Sequence, residues 1–391
     1  MTQHLDAHNT AGVIRSERPT SPRLRVAVVG CGVGRAHALA YNALPDHFEL
    51  VSICDLDTAK AEALANEVNG IGTNDTGANG TSTVGFTASF NELLERDDID
   101  LIDICTPPHL HVPMVTQTIQ AGKHAICEKP IAASLKDVDA LIALERTALE
   151  QGQHNRIMPI FQYRFGHGLQ KLELLKTLGL LGKAHVATVE THWRRGAWYY
   201  IPEWRGKWAT ELGGGLLGHA IHAHDMLSCI MGGVKSVYAR VATRVNPIEV
   251  EDCAAVTLEM HDGSLVSLSM TLGSSAEISR HRFTFANLVA ESNIRPYTSS
   301  GDPWTFTADT PELQQAIDTA LASFQAQPEG YAGQFLRFHQ ALQTGAALPV
   351  TLQDARDSLE LVTAMYRSAR TGLAVQLPIT SSDSDYQSWL P

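Results

Sequence analysis

The run LRVAVVGCGVGRAHA (residues 24–38) limits the fold more than any other stretch of the chain. Its first part, LRVAVVG, is a short continuous apolar run, as expected for a strand buried on both faces of a parallel sheet. It passes straight into a turn holding Gly30, Gly32 and Gly34, then into a helix-like pattern that reaches Leu44. The alternation repeats. FELVSICD reads as a strand and TAKAEALANEV as a helix; IDLIDICTPP is a strand, HVPMVTQTIQAG a helix and HAICEKP a strand. Between them, SFNELLERDD reads as a helix with Ser89 as N-cap and Glu92 completing a capping box. NGIGTNDTGANGTSTVG (residues 69–85) reads as a surface loop. SLKDVDALIALERTALEQG is a helix capped by Ser134. Such an order predicts an α/β fold with a doubly wound parallel sheet over residues 23–153.

At 391 residues the chain is too long for one ordinary core, so a second domain is expected over 154–391. There the strands lengthen: AHVATVETHW, VKSVYARVATRV, DCAAVTLEMHDG, SLVSLSMTL and HRFTFANLVAES. The Asp262-Gly263 turn marks an antiparallel hairpin. A large, mainly antiparallel, open-faced sheet with helices on one face is predicted, closed by helices around AGQFLRFHQALQTG and DARDSLELVTAMYRSARTG. Residues 1–22 are polar, read as a disordered tail, and lack the apolar core of a secretory signal. No apolar run reaches the roughly 18 residues that span a bilayer. With 42 acidic against 30 basic residues the formal charge is −12, which argues against nucleic acid and anionic membranes as partners. Six cysteines without a C-x-x-C pair fit reduced thiols in a cytoplasmic protein.

A glycine turn opening a helix lets the backbone approach a pyrophosphate, which the helix N-terminus attracts. Here the spacing is G-x-G-x-G, one residue shorter than the usual fingerprint, and taken alone it reads equally well as a structural turn. The second strand, however, ends on Asp55, where the fingerprint expects an acid for the ribose hydroxyls. Gly30, Gly32, Val33, Gly34 and Asp55 are therefore the expected dinucleotide contacts. A carboxylate at 55 repels a 2′-phosphate, so NAD is expected over NADP, with Asp57 and Lys60 leaving NADP open.

Further along, TPPHLHVPMVTQTIQAGKHAICEKP (residues 106–130) resembles the Gfo/Idh/MocA family, through Thr106-Pro107 with His111, Ala121-Gly122-Lys123-His124 and Glu128-Lys129-Pro130. The likeness continues through FQYRF, the GGG…H..HD stretch and SARTG. It implies NAD(P)-dependent redox chemistry on sugars, sugar derivatives or cyclitols, with Thr106, Pro107, His111, Glu128 and Lys129 at the cofactor and Lys129 as the catalytic lysine. A cation beside a hydroxyl stabilises developing alkoxide. The likeness also implies a homodimer or homotetramer.

ELGGGLLGHAIHAHD (residues 211–225) holds three histidines in six residues. Zinc needs three or four converging ligands, and this spacing makes a poor cage, so no metal is expected. Aligned with the family, the expected base is His222, whose ordinary pKa near 6.5 suits proton transfer. Gly218 stands where many members carry Asp or Asn, and His219 is the candidate replacement. Were the stretch one helix, His219, His222 and Asp225 would share a face.

THWRRGAWYYIPEWRGKW (residues 191–208) holds four of the six tryptophans. Aromatic faces suit sugar rings, and guanidinium groups bind hydroxyls or anions. Arg164, Trp193, Arg194, Arg195, Tyr199, Trp204, Arg205, His219 and Asp225 are the candidate substrate contacts; a loop stapled to the core is the alternative. Two other readings stay open. One is a glycoside-processing enzyme working by transient oxidation and elimination, and the other is a non-catalytic dinucleotide sensor.

Overall fold

The computed structural model describes residues 23–72 and 83–391. The first sheet is built by β1 (Leu24–Val29), α1 (Gly34–Asn42), β2 (Phe48–Cys54), α2 (Thr58–Gly72), β3 (Gly85–Thr87), α3 (Phe90–Glu95), β4 (Leu101–Ile104), α4 (His111–Gln120), β5 (His124–Cys127), α5 (Leu135–Glu150) and β6 (Ile157–Pro159). All six strands pair in parallel in the order β3-β2-β1-β4-β5-β6. The order reverses between β1 and β4, and such sheets bind ligands at that switch point, beyond the strand carboxyl ends. The sixth strand comes from residues beyond position 153. The tail expected over 1–22, and residues 73–82 of the expected loop, lie outside the described residues; α2 carries on four residues into that loop, to Gly72. Ser89 and Ser134 cap their helices, accepting from the Glu92 and Asp137 N–H groups. The Glu92 carboxylate accepts from Thr87 Oγ1.

The second sheet follows α6 (His167–Thr177) with β7 (Ala184–Arg194), the short helices α7 (Trp208–Glu211) and α8 (Gly215–Gly218), α9 (Ile221–Met231), β8 (Val234–Ala242), β9 (Cys253–Met260), β10 (Leu265–Thr271), β11 (Gly273–Phe285), β12 (Leu288–Glu291) and β13 (Thr305–Ala308). Helices α10 (Pro311–Ala322), α11 (Gly330–Thr344) and α12 (Leu352–Thr371) and strand β14 (Val375–Gln376) close the chain. Eight strands run β13-β12-β11-β7-β10-β9-β8-β14, antiparallel except for the β7–β10 pair. The Asp262-Gly263 hairpin forms as expected, Leu265 facing Glu259. HRFTFANLVAES is two strands rather than one. Its chain reverses at Ala286-Asn287, so Arg282 pairs with Glu291. Apolar periodicity alone cannot see a turn made by two small residues.

Helix α11 returns to the first domain. Phe335 stacks flat on Tyr41 of α1, centroids 4.2 Å apart, and Tyr331 lies 4.2 Å from the His37 ring. None of the described helices is long and apolar enough to cross a membrane.

The glycine turn is sterically fixed. Gly30 has φ +97°, and a Cβ there would stand 2.6 Å from the Cys105 carbonyl oxygen. Gly30→Ala therefore meets both backbone strain and a collision with backbone that cannot rotate away. It is expected to cost about 2 kcal/mol or more of stability, read as a lower urea midpoint, and to weaken NADH binding measured by fluorescence.

Candidate active site

A cleft of about 1490 Å³ runs from the glycine turn to the aromatic loop of the second domain. At its nucleotide end stand Gly30, Gly32, Val33 and Asp55. A Cβ on Gly32 would touch nothing within 4 Å, whereas one on Gly34 would press on Val28 at 2.9 Å. Gly32 thus faces the open cleft, and Gly34 lets α1 pack against β1, outside the lining. Asp55 is held at the end of β2 by the Cys31 and Asp57 N–H groups, at 2.8 and 2.9 Å. Burial and the Asp55 charge push the Cys31 thiol up to about 12, which keeps it protonated.

Thr106 and Pro107 also line the cleft. His111 does not: its ring nitrogens lie 2.7 and 2.8 Å from the Pro130 and Thr106 carbonyl oxygens. It ties the β4 and β5 loops together from behind, and burial lowers its pKa.

Beneath the cleft lies a buried chain of polar groups. His37 Nδ1 is 2.8 Å from Asp103 and its Nε2 is 3.2 Å from Glu128. Tyr41 donates to Asp103 and Tyr331 to Glu128. Burial opposes a charge on His37, but Asp103 overcomes it and raises the pKa well above the usual value. Burial likewise opposes the Glu128 carboxylate, and His37 overcomes it, bringing the pKa down to about 2. His37, Asp103 and Cys105 offer ligand atoms within 4.8 Å of one another, yet each bonds the others, with Cys105 Sγ 3.4 Å from His37 Nδ1. Asp103 and Glu128 on the two His37 ring nitrogens favour the protonated imidazole, and a protonated ring has no lone pair for a metal.

The second Glu128 oxygen accepts from the Lys129 N–H at 3.0 Å, fixing the backbone at that residue. Lys129 Nζ reaches into the cleft and donates to the Gly218 carbonyl at 2.8 Å. Burial lowers its pKa, against the pull of Glu128.

His222 also lines the cleft, its ring stacked on Tyr163 at 4.7 Å and its Nδ1 without a hydrogen-bond partner among the described residues. Its ordinary pKa does not survive: burial first and Lys129 second push it down to about 3. The stretch is also not one helix. It breaks between α8 and α9, and His219 sits in the break with φ −126° and ψ −58°. His219 still lines the cleft, its Nε2 accepting from Arg195 Nε at 3.2 Å. His224 is wholly buried, with neither nitrogen bonded.

Six of the nine expected substrate contacts line the cleft: Trp193, Arg195, Tyr199, Trp204, Arg205 and His219. Arg195 lies within 5.3 Å of the Trp193, Tyr199 and Tyr297 ring centres. Arg164, Arg194 and Asp225 are elsewhere. Arg164 forks onto Asp225 at 2.7 and 2.6 Å and reaches Asp354 at 3.0 Å, so this pair joins η-type turn 162–165 to α9 and α12. Arg194, at the end of β7, offers its N–H to Glu277 of β11. Sequence reasoning gave no role to Glu211, Tyr163, Tyr297 or Tyr331, all in the lining. Glu211 opens the very motif that was read for its histidines.

Residues 24–153 match the family described as an oxidoreductase family with an NAD-binding Rossmann fold, and residues 176–377 match its C-terminal alpha/beta domain. The chain belongs to the Gfo/Idh/MocA oxidoreductase family. It is an NAD(H)-binding oxidoreductase. Within this family, the uncharacterized oxidoreductase YrbE of Bacillus subtilis is 25% identical over 363 residues, 90% of this chain and 96% of the relative. The D-glucoside 3-dehydrogenase of Escherichia coli is 26% identical over 382 residues, 92% and 99% of the two chains. A solved family structure, the WlbA dehydrogenase of Bordetella pertussis in complex with NADH and UDP-GlcNAcA, aligns with TM-score 0.73 and 26% identity, covering 92% and 100%.

Two outcomes follow from this geometry. Asp55 stands at the nucleotide end as a fixed anion, so NADH should bind more tightly than NADPH in fluorescence titrations. Asp225→Asn leaves the buried Arg164 charge with Asp354 alone. It should cost about 3 kcal/mol of stability in urea unfolding while leaving the substrate KM near its original value.

Proposed function

We propose that the protein moves hydride between nicotinamide and a secondary hydroxyl of a sugar, sugar derivative or cyclitol. The observation that carries this is the convergence of Lys129 and His222 in one cleft with the glycine turn and Asp55. NAD, when bound, supplies the hydride acceptor. The glycine turn leaves backbone open for a pyrophosphate, and Asp55 offers acceptors for ribose hydroxyls, so the residues fit the cofactor.

Lys129 has N–H groups beyond the one given to Gly218, and these hold the substrate oxygen and steady its growing charge. His222, kept neutral by burial, takes the hydroxyl proton. The charge it gains is favoured by Glu128, which already pulls its pKa upward. Rings of Trp193, Tyr199 and Trp204 suit the C–H face of a sugar, and Arg195 and Arg205 suit its hydroxyls or an anionic substituent. The relatives acting on D-glucosides and binding UDP-GlcNAcA support this class.

The same reading includes assembly into a homodimer or homotetramer through the open face of the eight-stranded sheet, where Val186, Tyr238 and Leu265 are exposed. The net charge of −12 supports the absence of nucleic-acid and anionic-membrane partners.

NADH absorbance is the test, with NAD⁺ and a panel of cyclitols, aldoses, sugar acids and simple glycosides. A rise with one class is expected. Glycoside cleavage without net NADH would replace this reading with the internally cycling one. Lys129→Met and His222→Gln should each cut kcat by about 10²–10⁴, far more than they weaken NADH binding. Burial and the Lys129 charge push His222 down to about 3, which keeps the ring neutral above pH 5. His222→Gln should therefore lower the kcat/KM profile without removing a limb near pH 6.5.

A further inference from the structure

Lys129 carries a positive charge into a cleft that already holds Arg195 and Arg205, and its nearest neighbour on α8, Gly218, gives it only a carbonyl. Four carboxylates line the cleft: Asp55, Glu128, Glu211 and Glu329. Asp55 is tied to the glycine turn. Glu329, a half-exposed side chain, accepts from the His167 N–H. Glu128 spends its oxygens on His37, Tyr331 and the Lys129 backbone.

Glu211 differs from these. It ends α7, is 8% exposed, and stands where the aromatic loop meets the histidine stretch. One of its oxygens accepts from the Gly206 N–H and the other from Arg205 at 3.2 Å. Arg205 is itself clamped between Tyr199 and Trp204, 3.9 and 4.2 Å from their ring centres. The carboxylate is therefore held in a fixed place. Each of its oxygens keeps acceptor capacity beyond its one protein partner.

We propose that Glu211 is the acid of this site, supplying from the aromatic loop the negative charge beside Lys129 that no side chain at 218 provides. It is a positioning residue for Lys129. Its charge holds the ammonium against burial, and its spare acceptor capacity suits a substrate hydroxyl next to the one that reacts. Both groups line the same cleft, and each favours the other's charge, Glu211 adding to the larger pull of Glu128 on Lys129. The other charged or titratable groups acting on or facing Lys129 are Glu128, Arg205, His111, His219 and His222. Of these, only Glu128 shares the sign of Glu211. The inference rests on Lys129 being the reacting lysine.

Position 218 permits a reciprocal test, because a Cβ there would meet nothing within 4 Å. The readout needs no substrate: the pH dependence of Lys129 acetylation by acetic anhydride, followed by peptide mass spectrometry on the full chain. Only the free amine reacts, so the midpoint reports its protonation. Glu211→Gln, which keeps an acceptor for Gly206, should move the midpoint down by about half a pH unit or more, roughly a threefold change in free amine. Adding Gly218→Asp to that variant should bring it back. An unchanged midpoint in a Glu211→Gln protein that still binds NADH overturns the proposal. If Glu211→Gln fails to bind NADH, Gly218→Asp in the otherwise unchanged chain decides. A raised midpoint supports position 218 as the alternative seat for the acid, and an unmoved one overturns that equivalence. On any polyol active in the NADH panel, Glu211→Gln should also lose tenfold or more in kcat/KM, with the double variant regaining most of it. A silent panel would count against the proposed substrate class and leave the acetylation result to judge Glu211.

Discussion

The site depends on one buried ionic contact, that between the His37 imidazolium and the Glu128 carboxylate. Neither group is stable alone in the interior, where an unpaired charge is costly. Asp103 keeps His37 protonated, His37 keeps Glu128 ionised, and Glu128 holds the Lys129 N–H. Three successive pieces of the first sheet are joined by this contact: α1, the end of β4 and the end of β5. Lys129 is thus aimed from beneath, with Glu128 at the cleft wall and the His37–Asp103 pair buried behind it.

The first sheet was legible because parallel strands buried on both faces leave continuous apolar runs, and its helices announce themselves with caps. Asp55 and the glycine turn were legible because backbone approach to a phosphate restricts residue type. The family resemblance pointed to Lys129 and His222, and both line the cleft. What escaped was anything set by long-range packing. Nothing local distinguishes Arg164, which pairs with Asp225 61 residues away, from Arg195, which lines the cleft. The break at His219 was hidden too. His219, His222 and Asp225 at helical spacing look continuous, yet the chain turns between Gly218 and Ile221, which gives His219 and His222 separate supports. His111 kept its expected neighbourhood and changed its task, bridging two carbonyls behind the wall.

Burial does much of the electrostatic tuning. It lowers His222, His219 and Lys129 together and raises Glu211. All four shifts favour neutral forms, so few protons separate the available states. A closed, low-dielectric site of this kind makes each remaining charge count for more than it would in water.

Helix α11 has a consequence for how the molecule can be divided. Its Tyr331 donates to Glu128, and its Phe335 covers Tyr41 beside Asp103. A segment whose Tyr331 lies 203 residues after Glu128 is therefore the lid on the ionic chain of the first domain. Cut off after β6, the nucleotide domain would keep its sheet order but open that chain to water on one side. Its integrity as a catalytic half belongs to the whole polypeptide, and the two domains are better regarded as one machine wound from both ends of the chain.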